Sequence, residues 1–261
     1  MPFLVSDTDD AWEAFGAKDP YYGVLTNEAF RAGVIGDEER RDFFDSGRQH
    51  VLKYLARIES LVGPVRRGSA LDFGCGVGRL ALPLATEAGF AHVDGVDVSV
   101  SMLMEASANA ERMAVENVGF IESRVLFGPM MNQLANHRLY SFIHSFIVLQ
   151  HIPPAKGYVI FRGLLDRLEP GGVIALHFPY FRKVPSLRKF ANYVRVRSSI
   201  LHSAGNLLQR RPLAEPPMQM NRYDINKLFL ICHEYGLDSV SVDFLMDSGN
   251  HGVYLIGRRQ A

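Results

Sequence analysis

The sequence predicts a doubly wound α/β fold with a seven-stranded, mostly parallel sheet, and three observations carry that prediction. Short apolar runs alternate along the chain with runs of helical period; one early run ends in a glycine-rich loop that opens a helix; and the last two runs lie close enough for a hairpin. The 261 residues, 48% of them hydrophobic, are enough for one such domain with additions. The chain is read as a single domain with an N-terminal cap over 1–45, a core over 46–178, a basic insertion over 179–222 that serves with the cap as a lid, and a final helix and hairpin over 223–261.

In order, residues 1–45 show no strand alternation. Trp12, Phe15, Tyr21, Tyr22 and Phe30 surround the turn Lys18-Asp19-Pro20, which reads as a helical cap. Val51, Leu52, Tyr54, Leu55 and Ile58 repeat with helical period from Ser46 to Leu61, and Gly63-Pro64 stops that helix. Strands are expected at 69–73, 91–96, 118–122, 139–144, 172–178, 238–244 and 252–257. Helices are expected at 79–88, 99–115, 155–168 and 224–235. The short link from Met246 to His251 makes the final strand antiparallel. The rhythm breaks between Pro179 and Asn221, where residues 181–211 hold eight Lys and Arg, from Arg182 to Arg211, and no acid. This stretch reads as a solvated amphipathic helix pair that also makes a homodimer contact.

Composition excludes several classes. Lys+Arg (28) equals Asp+Glu (28), so no overall field draws the chain to nucleic acid, and none is expected as a partner. Cys75 and Cys232 support neither a disulfide framework nor a zinc cluster, which points to a reducing cytoplasm. The N-terminus lacks the pattern of a signal peptide, and no stretch has the length of a membrane span, so a soluble cytoplasmic protein is expected.

The segment Ser69-Ala70-Leu71-Asp72-Phe73-Gly74-Cys75-Gly76-Val77-Gly78-Arg79 carries the chemistry. Gly74, Gly76 and Gly78 permit a sharp turn and close approach of a ligand, and the following helix directs its free N–H groups at that ligand. A dinucleotide fingerprint needs its third glycine one residue later. Asp72 sets beside the loop a carboxylate suited to an amino group. Asp97, at the end of the second strand, suits two ribose hydroxyls better than it suits a helix cap, whereas Asp94, inside that strand, has a structural role. This Asp-x-Gly-x-Gly-x-Gly pattern with its downstream acid resembles the first motif of class I S-adenosylmethionine (SAM)-dependent methyltransferases.

That resemblance covers residues 46 to 180 and extends loosely to the final helix and hairpin. It implies a Rossmann-like methyltransferase fold, SAM as cofactor and S-adenosylhomocysteine (SAH) as product. It also implies an adenine contact after the third strand, where Glu122 and Ser123 stand. The segment Leu139 to Pro154 resembles the family's fourth motif, whose end faces the methyl group, and Leu165 to Val173 resembles its Pro-Gly-Gly turn and fifth strand. His144, at the end of the fourth strand, is the expected general base; His151 is given a helix-entry or cofactor-shell role.

No motif for nitrogen or C5 methylation follows the fourth strand, which leaves a hydroxyl acceptor. The run Asp19 to Thr26 resembles a cap of bacterial methyltransferases, some of which modify polysaccharides or other glycans. A sugar hydroxyl is therefore the expected acceptor, with Tyr21 and Tyr22 stacking on its faces and His177, Tyr180, Tyr193 and His251 lining its site. Another small-molecule or lipid-like hydroxyl is the alternative, as is a non-catalytic SAM-binding subunit. Mg²⁺ assists some sugar methyltransferases, but no carboxylate cluster marks a metal site here.

Overall fold

The computed structural model describes residues 8–127, 138–182, 218–237, 239–247 and 249–260. A sheet of seven strands forms its centre, in the order β3-β2-β1-β4-β5-β7-β6. The strands are β1 (Ser69–Phe73), β2 (His92–Asp97), β3 (Val118–Glu122), β4 (Tyr140–Ser145), β5 (Leu168–Arg182), β6 (Val240–Asp247) and β7 (Asn250–Arg258). The first five pair in parallel, and β7 inserts antiparallel between β5 and β6.

One face of the sheet packs on α3 (Asp37–Val62), α4 (Ala81–Ala85) and α5 (Val100–Arg112); Leu55, Leu82 and Leu103 meet Phe142, Tyr254 and Ile256 there. The other face packs on α6 (Ser123–Phe127), α7 (Pro154–Asp166) and α8 (Ile225–Glu234), where Phe161, Leu164 and Ile231 meet Ile174, Leu176 and Leu255. Strands covered on both faces are apolar along their whole length, which is why the sequence shows runs rather than alternation.

Helix α3 starts at Asp37, nine residues before the expected Ser46. Its first turn carries Asp37, Glu38 and Glu39, which suit the positive end of a helix, and Gly36 N–H donates to Glu39 Oε2 at 2.8 Å. The mixed-charge run that obscured this start is a solvated helix face laced by pairs such as Arg48–Asp45. Strand β5 is also longer than expected, running through the Pro-Gly-Gly turn at one end and on to Arg182 at the other. Asp94 has the structural place expected of it. It is 4% exposed, accepts from Tyr140 Oη and Arg138 Nη1, each at 2.9 Å, and lies 2.9 Å from His92 Nε2.

The cap is helical as expected: α1 (Thr8–Lys18) and α2 (Pro20–Val24) form a third cluster in which Phe15, Tyr21, Tyr22 and Phe43 surround Met102 of α5. Ser99 caps α5 through a bond from Met102 N–H and itself donates to Glu13 Oε2 at 2.9 Å. Ser101 N–H and Oγ also donate to Glu13, so a carboxylate of α1 closes the amino end of α5. Gly16 lies so close to Ser99 that any side chain there would displace the cap.

Candidate active site

Strand order reverses between β1 and β4, and in open α/β sheets ligands bind outside the carboxyl ends of the strands at that point. A cavity of about 620 Å³ lies there, within the range of small-molecule sites. Its floor is the loop after β1, its roof is the cap, and its far wall is the segment Phe146–Ile152 after β4.

The loop is held by backbone bonds. The N–H groups of Gly74 and Cys75 both donate to Val96 O, and Gly76 N–H donates to Asp97 Oδ2 at 2.9 Å. Gly76 sits at φ +52°, and a Cβ there would run into Val24 of the cap as well as into the cavity. The other oxygen of Asp97 accepts from Ser99 N–H at 3.0 Å. Burial raises the Asp97 pKa, opposed by these amide bonds, and Asp72 adds to the rise. The helix-capping role is taken by Ser99, so Asp97 is a carboxylate fixed by amides at the cavity wall.

Asp72 also reaches the cavity and is 2% exposed. Beside it stands Arg79, 8% exposed, whose pKa burial lowers to about 10 against the pull of Asp72. Among the expected loop residues Gly78 lies behind, packed over Leu82 and Ala106. Ser123 lines the cavity at the start of α6, whereas Glu122 pairs with Arg124 at 3.5 Å and does not line it.

His144 is not a lining residue. Asp72 and His144 are register partners of β1 and β4, and His144 Nδ1 lies 3.0 Å from Asp72 Oδ1, in a pocket shared with Phe142, Tyr254 and His50. It is 4% exposed, so the sheet holds the expected base beneath the loop, against a carboxylate. His50 is drawn into the same buried group, and burial, with the charges of His144 and Arg79 next, lowers its pKa to about 2.

The histidine that does reach the cavity is His151. Its Nδ1 lies 2.8 Å from Gln219 O, which requires a proton on Nδ1 and leaves Nε2 as the basic nitrogen, 3.1 Å from the Gln150 amide nitrogen. Burial lowers its pKa, and the bond to Gln219 offsets this only in part. The edge of Trp12 packs on its ring at 4.9 Å between centroids. The chain reaches this arrangement through Ile147, at φ +61°, a conformation a β-branched residue adopts only under constraint from its surroundings.

The expected acceptor residues are scattered. Tyr21 is buried in the cap, its hydroxyl 2.6 Å from Glu105 Oε1 and 2.8 Å from Asn109 Oδ1, and does not line the cavity. Tyr22 does line it, but Arg31 covers its ring 3.4 Å from the centroid. His177 packs between Phe146 and Gly252, and Tyr180 and His251 pack on each other beside Phe244 and Phe181, all outside the cavity lining. Tyr193 lies outside the described residues. Arg79, Gln150 and Asn250 line the cavity without having been named for it, and Trp12 and Arg182 line it from the cap and from the start of the basic insertion, the two segments expected to cover the acceptor. Of the first three only Arg79 carried a signal, as the residue that closes the glycine pattern.

Among the described residues no group of three or more His, Cys, Asp or Glu is arranged to hold a metal ion, and no helix is long and apolar enough to cross a membrane. Cys75 and Cys232 are free and buried.

Residues 70–172 match the family described as a methyltransferase domain. With the strand order and the glycine loop, this makes the matched segment a class I SAM-dependent methyltransferase domain. A ubiquinone biosynthesis O-methyltransferase of Paramagnetospirillum magneticum is 32% identical over 126 residues, 48% of this chain and 46% of that protein. One from Rickettsia conorii is 26% identical over 161 residues, 59% and 52% respectively, so the chain spans about half the length of these curated relatives. Among solved structures, the magnesium protoporphyrin IX methyltransferase of Synechocystis PCC 6803 with bound SAH superposes with a TM-score of 0.60 at 21% identity, over 97% of this chain and 98% of that one.

Proposed function

We propose that this protein is an active SAM-dependent O-methyltransferase whose acceptor is a hydroxyl on an apolar, ring-bearing or lipid-like molecule. One observation carries the reading: the cavity joins a cofactor floor built on Gly76 and Asp97 to a wall that holds a neutral histidine. SAM supplies a methyl group on a sulfonium, which an oxygen takes by in-line displacement as the carbon–sulfur bond breaks. Asp97, locked by two amides, accepts from the ribose hydroxyls. Asp72 meets the amino group, and Arg79 beside it meets the carboxylate of the methionine portion. His144, at Asp72 Oδ1, fixes that carboxylate.

The proton lost by the attacking hydroxyl passes to His151 Nε2, the role expected of His144 on sequence grounds. Gln150 NH₂ occupies the Nε2 lone pair in the resting site and turns aside as the acceptor hydroxyl reaches that nitrogen; after an amide flip its oxygen, which is buried without a partner, accepts from the protonated ring. The cap excludes water and aligns the acceptor.

Several observations favour an apolar acceptor over a sugar. Trp12, Val24, Ile147, Ile152, Met218 and Met220 line the chamber, while Tyr21 lies outside it and Tyr22 is covered. The relatives named for ubiquinone biosynthesis support O-methylation of this kind. A test follows from the floor. Calorimetry of the wild type should show SAH binding that Gly76→Val abolishes and Asp97→Ala weakens by at least about tenfold. SAH release from SAM should then appear with phenols or prenyl alcohols and not with free sugars. Unchanged SAH affinity in both variants would remove the site, and release with sugars alone would restore the glycan acceptor.

A further inference from the structure

Arg182 is a charge that the reaction described so far does not use. It ends β5, lines the cavity, and its side chain has no ion pair, hydrogen bond or ring contact with any described residue. The sequence around it offers no local counter-ion, because residues 181–211 contain no acid.

Its direction follows from the sheet. Residues paired across an antiparallel ladder share a face, and along a regular strand faces alternate. Phe178 pairs with Val253, and both enter the core cluster beneath α7 and α8. Strict alternation would send residue 182 to that same face. Instead the register shifts between Pro179 and Phe181, with Tyr180 as the extra residue, so Arg182 pairs with Asn250 and joins the face of Tyr254. A bulge of this kind re-aims a side chain. Here it puts Arg182 on the same face as Asn250, which is 7% exposed and also lines the cavity.

The charges lining the cavity narrow what that pair meets. The acids are Asp9, Asp72 and Asp97, and the bases are Arg79, Lys156 and Arg182. Lys156 pairs with Asp9 at 2.7 Å. Asp72, Asp97 and Arg79 are committed to the cofactor in the reading above, on which this step rests, and SAM itself brings a net positive charge. Among the described residues of the lining Arg182 is then left with no counter-charge, an arrangement that favours an anionic occupant.

We infer that the acceptor carries an oxyanion group, a carboxylate or a phosphate, seated on Arg182 and Asn250 while its apolar body fills the chamber towards His151. The planar fork of arginine with a neighbouring amide N–H₂ matches either group.

Calorimetry on the SAH-loaded protein tests this with 2-naphthoate, 2-naphthyl phosphate and the neutral 2-naphthylmethanol, each in the millimolar range. At least one anion should bind about tenfold more tightly than the alcohol, and Arg182→Gln should erase that preference while alcohol and SAH affinities stay within about twofold. Whichever anion leads identifies the group. Equal binding of alcohol and anions, a preference that survives Arg182→Gln, or no binding of any probe to the SAH-loaded protein would overturn the inference. If SAH itself fails to bind, the proposed function fails instead, and an Arg182-dependent preference measured without SAH still decides the oxyanion subsite.

Discussion

At the scale of single residues, two histidines of one strand and its following loop take different places. His144 is held by Asp72 in the sheet, and His151 faces the cavity with its Nδ1 committed to a carbonyl. Replacing His151 by Ala should lower turnover by about 10²–10⁴-fold with little change in SAM affinity. Replacing His144 by Ala should instead weaken SAM binding, because Asp72 loses its donor. Burial lowers the His151 pKa below 6.5, so the neutral, proton-accepting form persists to lower pH. The acid limb of the kcat/KM profile should therefore have its midpoint below 6.5; a midpoint above that value would remove His151 as the base. The sequence shows that a histidine ends the fourth strand but not which histidine turns inward. That depends on the positive φ of Ile147, which swings Val148–His151 over the cavity and which nothing about an isoleucine announces.

At the scale of elements, the cap depends on a few polar contacts. Glu13 receives bonds from Ser99 and Ser101 at the amino end of α5. Burial alone would raise its pKa, but these bonds outweigh burial and lower it below 4.5. A depressed carboxyl pKa stabilises the docked state above the ordinary value and loses that contribution as pH falls through the folded value. Trp12 is the single tryptophan and lies against His151, so its fluorescence reports cap docking. Its emission should move to the red at neutral pH in Glu13→Gln, and in the wild type only below pH 4.5, with far-ultraviolet dichroism unchanged. Identical emission from Glu13→Gln and wild type would show that the bonds do not hold the cap. Strand and helix order were legible here because each βαβ unit writes its own pattern of periods. The start of α3 was not, because its exposed first turns are polar, and neither was the bulge at Tyr180, which is a matter of register with a strand about seventy residues away.

At the scale of the molecule, the two core layers meet through a sheet whose interior is not wholly apolar. Asp94 is the clearest case, buried at the centre of β2 with Tyr140, Arg138 and His92 around it. Asp94→Ala would leave the Tyr140 hydroxyl buried without an acceptor and cost about 2–3 kcal/mol. Denaturant unfolding should show a lower midpoint at an unchanged m-value, and a midpoint equal to that of the wild type would mean that water replaces the carboxylate. That the glycine loop and Asp97 lie at the cavity was legible because close approach of a ligand to backbone restricts residue type. The acceptor chamber was not, because Trp12, His151, Arg182 and Asn250 come from four separate segments that only the folded sheet brings together.

The roof is shared. Val24 stands over Gly76 and Trp12 over His151, so one short helical pair covers both the cofactor floor and the acceptor wall. On the proposed function, lifting it would open both halves of the cavity together. Admission of a fresh cofactor and escape of the methylated product would then be one gating event, whose frequency would set a ceiling on the catalytic cycle however fast the methyl group moves.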